Sequence, residues 1–344
     1  MIIAVDAMGG DYGPSVVCPG VLTACERHQD LTVVFVGDQE KIKPYVDASG
    51  AAGRVSVVHT LEAVGMDEHP SQAIRTKRRS SLRLAMEMVR SGEADGCLSA
   101  GNTGAIVAGG VLVVGRIRGI ARPGLGVLLP TLKPTLLIDG GATVRCKPET
   151  LCQFARMGSA YMTSQMELNA PRVCLLSNGS EEIKGDDVIA LAREALSADK
   201  TVNFGGYIEP NEVTFGKADV VVADGFTGNI MLKSFEGLVS YGMQLIKDEV
   251  LSGLLGKIGL GLCYFGARRL KAKLDYQRYG GSPLLGVDGV VVKAHGRSKA
   301  PAITSAMDAA VRAVQGDIVG VIRRRAGSDA SDEADRTKER LEAE

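Results

Sequence analysis

Tryptophan is absent from the chain, and aromatic residues of all kinds make up only 4% of it. That scarcity argues against a surface for stacking nucleic-acid bases. Charge of one sign is missing too: 40 basic residues are matched by 40 acidic ones, and that balance does not draw in a polyanion. There is no run of about 18 uncharged apolar residues, so no membrane-spanning helix is expected. Met1-Ile2-Ile3-Ala4-Val5-Asp6 lacks the basic start of a signal peptide and turns polar too early for one. The seven cysteines (Cys18, Cys25, Cys97, Cys146, Cys152, Cys174, Cys263) form no CxxC and no His–Cys cluster. In apolar surroundings they read as reduced thiols of a cytoplasmic protein. A catalytic thiol stays open only at Cys146, beside Lys147. There is no metal motif, no G-x-G-x-x-G at the right spacing, no P-loop and no G-x-S-x-G elbow. The four histidines (His28, His59, His69, His295) thus have no serine partner by pattern, and neither a metal nor a cofactor is expected.

Glycine, in contrast, is abundant at 43 residues, the mark of turns where backbone approaches backbone or ligand. The central example is Ser99-Ala100-Gly101-Asn102-Thr103-Gly104-Ala105, between an apolar Gly96-Cys97-Leu98 and an apolar helical stretch. Such a turn leaves backbone N–H groups bare at a helix start, where the helix dipole favours an anion. Ser99, Asn102 and Thr103 are also ordinary capping residues, so one turn alone decides nothing. The pattern repeats, however. Apolar runs end at Asp6-Ala7-Met8-Gly9-Gly10-Asp11, at Asp139-Gly140-Gly141, at Ser177-Asn178-Gly179, at Asp224-Gly225-Phe226-Thr227-Gly228-Asn229 and at Lys293-Ala294-His295-Gly296. One anion site built from several strand ends accounts for all of them.

Strands are expected at 2–5, 31–36, 55–58, 96–98, 124–129, 135–138, 173–176, 219–223 and 290–292, alternating with helices. That alternation predicts βαβ units and a mainly parallel sheet in a three-layer αβα sandwich. Ligands of such sheets lie beyond the carboxyl ends of the strands, where the polar turns fall. Residues 1–325 are expected to form one αβα domain with a helical hairpin inserted at about 230–275, and 326–344 a disordered tail. Arg75-Thr76-Lys77-Arg78-Arg79 reads as a solvated face or as a docking patch for an acidic partner. Leu254, Leu255, Ile258 and Leu262 recur at helical spacing near Lys257, Arg268 and Arg269. They suit a buried hairpin or a tip inserted shallowly into an anionic membrane surface.

Asn, Ser, Thr and Lys on glycine turns can position orthophosphate beside an electrophilic carbonyl and stabilise the tetrahedral oxyanion. Three motifs, Ala4-Val5-Asp6-Ala7-Met8-Gly9-Gly10-Asp11-Tyr12-Gly13-Pro14, Ser99 through Ala105 and Cys146-Lys147-Pro148-Glu149, resemble those of the bacterial phosphate acyltransferases of phospholipid synthesis. Ala223 through Asn229, and the run from Gly280 through Gly286 to Gly296, are similar to the same family and follow in its order. The resemblance implies a fold of the phosphotransacetylase and isocitrate dehydrogenase kind. It implies transfer of a fatty acyl group from acyl carrier protein to orthophosphate, a homodimer, and peripheral association with the cytoplasmic membrane. A short-chain phosphotransacetylase using coenzyme A is the alternative. Catalytic roles are expected at Lys184, Asn229 and His295. Phosphate or substrate contacts are expected at Asp6, Gly9, Gly10, Asp11, Ser99, Asn102, Thr103, Asp139, Lys147, Asp224 and Lys293.

Overall fold

The computed structural model describes residues 1–51, 53–179, 181, 185–250, 253, 264–266, 268–269 and 280–326. Strands and helices alternate as expected and build two mainly parallel sheets. The larger has seven strands in the order β3 (Val55–His59), β2 (Thr32–Gly37), β1 (Ile2–Asp6), β4 (Gly96–Ser99), β12 (Val290–Lys293), β11 (Ser282–Leu285), β5 (Gly124–Leu125). The first five run parallel; β11 and β5 close the edge antiparallel. The smaller sheet follows the order β6 (Val127–Leu129), β7 (Thr135–Ile138), β10 (Val220–Val222), β8 (Arg172–Leu176), β9 (Asn203–Ile208), with only β6 antiparallel.

Strand alternation explains the layering. Ile3 and Val5 of β1 join one buried cluster with Val17, Val21 and Cys25 of α1 (Pro14–Arg27) and with Ile303 and Met307 near the C-terminus. Ala4, between them, joins the opposite cluster with Leu82, Ala85 and Met86 of α4 (Ser81–Ser91). In the smaller sheet, Ile138, Leu175 and Val222 pack on Phe154 and Ala155 of α6 (Pro148–Met166). Leu137, Cys174 and Val221 pack with Met231 of α9 (Gly225–Leu245). Each sheet is thus apolar on both faces and covered by helices, which is what parallel strands require. Burying each large side chain contributes about 1.5–3 kcal/mol. The remaining helices are α2 (Gln39–Asp47), α3 (Pro70–Thr76), α5 (Thr103–Gly109), α7 (Asp187–Ala198), α8 (Pro210–Val213) and α10 (Ala300–Gln315). Proline occupies the first turn of α1, α3 and α6, where its missing N–H costs nothing.

One expected strand is divided. Residues 124–129 form β5 and β6, which belong to different sheets, with Gly126 between them donating its N–H to the Pro283 carbonyl. The segment therefore links the two sheets. Of the expected hairpin, α9 and a π-helical turn, Ile246–Val250, carry the chain outward. Leu254, Leu255, Ile258 and Leu262 lie outside the described residues, as does the expected tail. No helix among the described residues is long and apolar enough to cross a membrane.

Candidate active site

The register of the larger sheet places Asp6, Ser99 and Lys293 side by side at the carboxyl edge of β1, β4 and β12. In the smaller sheet Ile138, Val222 and Leu175 lie level, so the turns at Asp139 and Asp224 leave from one edge as well. A cavity of about 470 Å³ takes its lining from both edges. Among its lining residues are Asp11, Gly101, Thr103, Gly140, Gly141, Asn229, Lys293 and His295. Five residues expected from the sequence to act on substrate thus share one cavity.

Lys293 dominates its electrostatics. The side chain makes no hydrogen bond or ion pair with any described residue. Burial, with the charge of Lys233 added, lowers its pKa to about 8, while Glu236 pulls the other way. A cation held without a partner in a partly closed cavity favours an anion. His295 is likewise held below its ordinary value, first by burial and then by Lys293, with Lys233 and Arg297 adding and Glu236 opposing. Its Nδ1 accepts the N–H of Arg297 at 3.2 Å. The neutral ring therefore carries its proton on Nε2, as a donor. Asn229 lies against Gly141, and its amide makes no hydrogen bond to a described residue. A Cβ on Gly141 would come 3.6 Å from its Oδ1.

Several expected residues sit behind this lining. Asp6 is 3% exposed and accepts the hydroxyls of Ser81 and Ser99, each at 2.6 Å. Burial raises its carboxyl pKa, against the pull of those hydrogen bonds. Ser99 also accepts the N–H of Gly101 at 3.0 Å. Asn102 caps α5 through the N–H of Ala105 and donates to the Met66 carbonyl at 2.6 Å. The Ser99 and Asn102 side chains are thus engaged within the protein and shape the turn, whereas Thr103 lines the cavity. Gly9 packs directly on this cluster, since a Cβ there would meet Asp6 Oδ2 at 2.7 Å. Gly10, at φ +83°, adopts the left-handed turn that a side chain resists. Asp11 donates its N–H to the Gly296 carbonyl at 2.9 Å and approaches Arg297 at 3.9 Å.

Asp139 is fully buried. It accepts four backbone N–H groups, from Leu125, Gly141, Ala142 and Thr143, at 2.6–2.9 Å. Burial raises its pKa against those four bonds. Asp224 caps α9 through Thr227 and lines a second cavity, of about 420 Å³, with Cys146. Burial, reinforced by Asp139 and Asp224, pushes the Cys146 thiol up to about 12, so it does not suit a nucleophile. Lys147 is exposed at the start of α6 and lines neither cavity. Lys184 lies outside the described residues. The sequence reading missed Lys233 and Glu236, which line the main cavity. They follow Asn229 at i+4 and i+7 on one helix face, a spacing that could have revealed them. In the basic run, Lys77 is spent on Glu68 at 2.6 Å. Among the described residues no group of three or more His, Cys, Asp or Glu could hold a metal ion.

Solved structures share this architecture. A phosphotransacetylase from Streptococcus pyogenes superposes with a TM-score of 0.57 at 16% identity, covering 92% of this chain and 94% of that one. A branched-chain phosphotransacylase from Enterococcus faecalis gives 0.55 at 13% identity, covering 91% and 99%. At the level of sequence, a phosphate acyltransferase from Thermoanaerobacterium thermosaccharolyticum is 42% identical over 94% of this chain and 96% of its own length. One from Pelotomaculum thermopropionicum is 43% identical over 94% of each. Fold, site and relatives together define an α/β acyltransferase. The model of a family described as fatty acid synthesis protein matches residues 1–320. The chain belongs to that family, among its phosphate acyltransferases.

Proposed function

We propose that the protein transfers a fatty acyl group from acyl carrier protein to orthophosphate, releasing an acyl phosphate for phosphatidic acid and phospholipid synthesis. The observation that carries this reading is Lys293, which has no hydrogen-bond or ion-pair partner among the described residues, in a cavity shared with Asn229 and His295. Lys293 binds phosphate, with Lys184 adding charge. A phosphate oxygen attacks the thioester carbonyl, and the Asn229 amide and the His295 Nε2–H stabilise the tetrahedral oxyanion. The C–O bond forms, the C–S bond breaks, and the departing thiolate takes up the proton that the attacking hydrogen phosphate gives up. Asp6 and Asp139 hold the turns, and no metal is required.

With phosphate and hexadecanoyl-carrier protein, the enzyme should release free carrier thiol and a hydroxylamine-reactive acyl phosphate in equal amounts. Turnover of acetyl-coenzyme A but not of the carrier thioester would instead assign the short-chain phosphotransacetylase activity that the fold relatives suggest.

The same reading makes the enzyme a cytoplasmic homodimer touching the inner face of the membrane. Supporting the dimer, Ile230, Leu238, Tyr241 and Leu245 form an exposed apolar face on α9, opposite the cavity. Supporting the membrane contact, Phe265 is 76% exposed and is followed by Arg268 and Arg269. Apolar insertion and about 1 kcal/mol per basic residue give reversible adhesion. Leu254→Glu combined with Ile258→Glu should abolish co-sedimentation with anionic vesicles while soluble acyl transfer survives. If that variant unfolds or loses its dimer, these residues belong to a core or a subunit interface.

A further inference from the structure

The main cavity is two-sided, and the mechanism uses only one side. Thr103, Asn229, Lys293 and His295 line the polar part. The other part is apolar and comes from two elements whose side chains meet in one cluster. The first is Val127 and Leu129 of β6, followed by Pro130; Leu128, between them, pairs with Leu136 and joins the cluster on the α6 side. The second is Leu232, Phe235 and Val239 of α9. The three α9 residues recur at i, i+3 and i+7 and so share a face. Asn229, Lys233 and Glu236 run beside them as a polar lane that also lines the cavity. Leu232, Phe235 and Val239 are half-buried, where residues on the outer face of the helix, such as Leu238 and Tyr241, are mostly exposed. The apolar lane is therefore open to the cavity and continuous with the reacting end.

We propose that this lane between β6 and α9 is the subsite for the hydrocarbon tail of the transferred acyl group, and that Val239 is its length-determining residue. The inference rests on a fatty acyl group being the group transferred, and dimensions support the assignment. Ten residues separate Asn229 from Val239, about 15 Å along the helix at about 1.5 Å per residue. A methylene in an extended chain advances about 1.3 Å, given carbon–carbon bonds of about 1.5 Å. With its carbonyl at Asn229, a chain reaches Val239 at about its twelfth carbon. Chains of four to six carbons end near Leu232 and Phe235, and chains of sixteen pass Val239. Each buried methylene adds up to about fourfold in affinity, the equivalent of about 0.8 kcal/mol. A tail that meets the lane along its length is thereby selected over a short one.

The test is a chain-length series of carrier-protein thioesters, from butyryl to hexadecanoyl, with orthophosphate, on the full-length protein. In the wild type, kcat/KM should rise with chain length up to about twelve carbons and then level off. Val239→Phe narrows the lane and should lower the ratio of hexadecanoyl to butyryl kcat/KM at least tenfold. Val127→Phe narrows it from the β6 side and provides the same readout should the first variant fail to fold. Equilibrium binding of free fatty acids of the same lengths should show the same break near twelve carbons in the wild type, and an earlier one in either variant. A ratio unchanged in both variants, or equal losses for short and long donors, would overturn the assignment. A wild type that moves no acyl group to phosphate from any carrier thioester would instead overturn the transfer reaction. In that case the break in fatty-acid binding, present or absent, still decides for or against the lane.

Discussion

Replacing Lys293 by methionine should lower kcat/KM for phosphate about a hundredfold, or about 2.7 kcal/mol of transition-state stabilisation. Methionine keeps most of the volume and removes the charge, so the loss reports electrostatics and not packing. The size follows from the setting: the side chain has no ion-pair partner among the described residues, and burial with Lys233 lowers its pKa to about 8. A charge already costly in the empty cavity is offset only when an anion arrives, and the full value of that interaction appears in binding. The pH dependence has a definite sign. Below about pH 8 the ammonium is present and phosphate should bind well. As pH rises through about 8, the proton is lost from the free enzyme and the phosphate KM should climb. The methionine variant should lack that limb. Stability moves the opposite way. Because the folded-state pKa lies below the ordinary value of 10.5, the unfolded chain holds more protons between about 8 and 10.5, and wild-type stability should rise across that window. The variant, carrying no buried charge, should be at least as stable as the wild type below pH 8. Phosphate kinetics unchanged in a folded variant would remove Lys293 from the site.

Sequence made the site's location legible because parallel strands announce themselves as apolar runs, and their carboxyl ends must share an edge. Asp6, Ser99 and Lys293 fall level for that reason alone. Which side chain faces substrate was much less legible. Asn102 looks in sequence like a donor for a ligand, yet its amide is taken by the Met66 carbonyl, 36 residues away. Asp139 looks like a binding carboxylate, but its four partners are backbone N–H groups, one of them from Leu125 in the other sheet. Tertiary hydrogen bonds of this kind leave no local pattern. The division of 124–129 was hidden because each half is apolar and Gly126 alone marks the crossing. β9 was missed because Gly205 and Gly206 interrupt its apolar alternation where its pairing with β8 shifts register. β11 was missed because it opens Ser282-Pro283, and proline, which lacks a ladder N–H, obscures a strand even where it stands near the strand's start.

Gly228→Ala should reduce acyl transfer about a hundredfold while lowering the melting temperature by only a few degrees. Gly228 stands in the first turn of α9, directly before Asn229, and a Cβ built on it runs into the carbonyl oxygen of Asp139. Gly225, one turn earlier, is under the same constraint, with 2.7 Å to Asp139 Oδ2 and 2.8 Å to the Thr143 carbonyl. The helix start and the Asp139 turn are therefore in backbone contact. That turn cannot yield easily, because Asp139 ties Leu125 of the larger sheet to Gly141, Ala142 and Thr143 through its carboxylate. The added methyl must push α9 away and carry Asn229 with it. If Asn229 meets the reacting carbonyl as proposed, a displacement of about 1 Å there can cost about a hundredfold. The stability cost is smaller, because overpacking of about 1–3 kcal/mol is offset by about 1 kcal/mol from placing alanine instead of glycine in a helix. Alanine at Gly237 is the control: it lies on the same helix, and a Cβ there meets nothing within 4 Å. Full activity in the Gly228 variant, or losses matching those of Gly237→Ala, would show that Asn229 does not depend on this contact. A large kcat loss with a thermal shift of a few degrees would show that the Asp139 turn sets the position of Asn229.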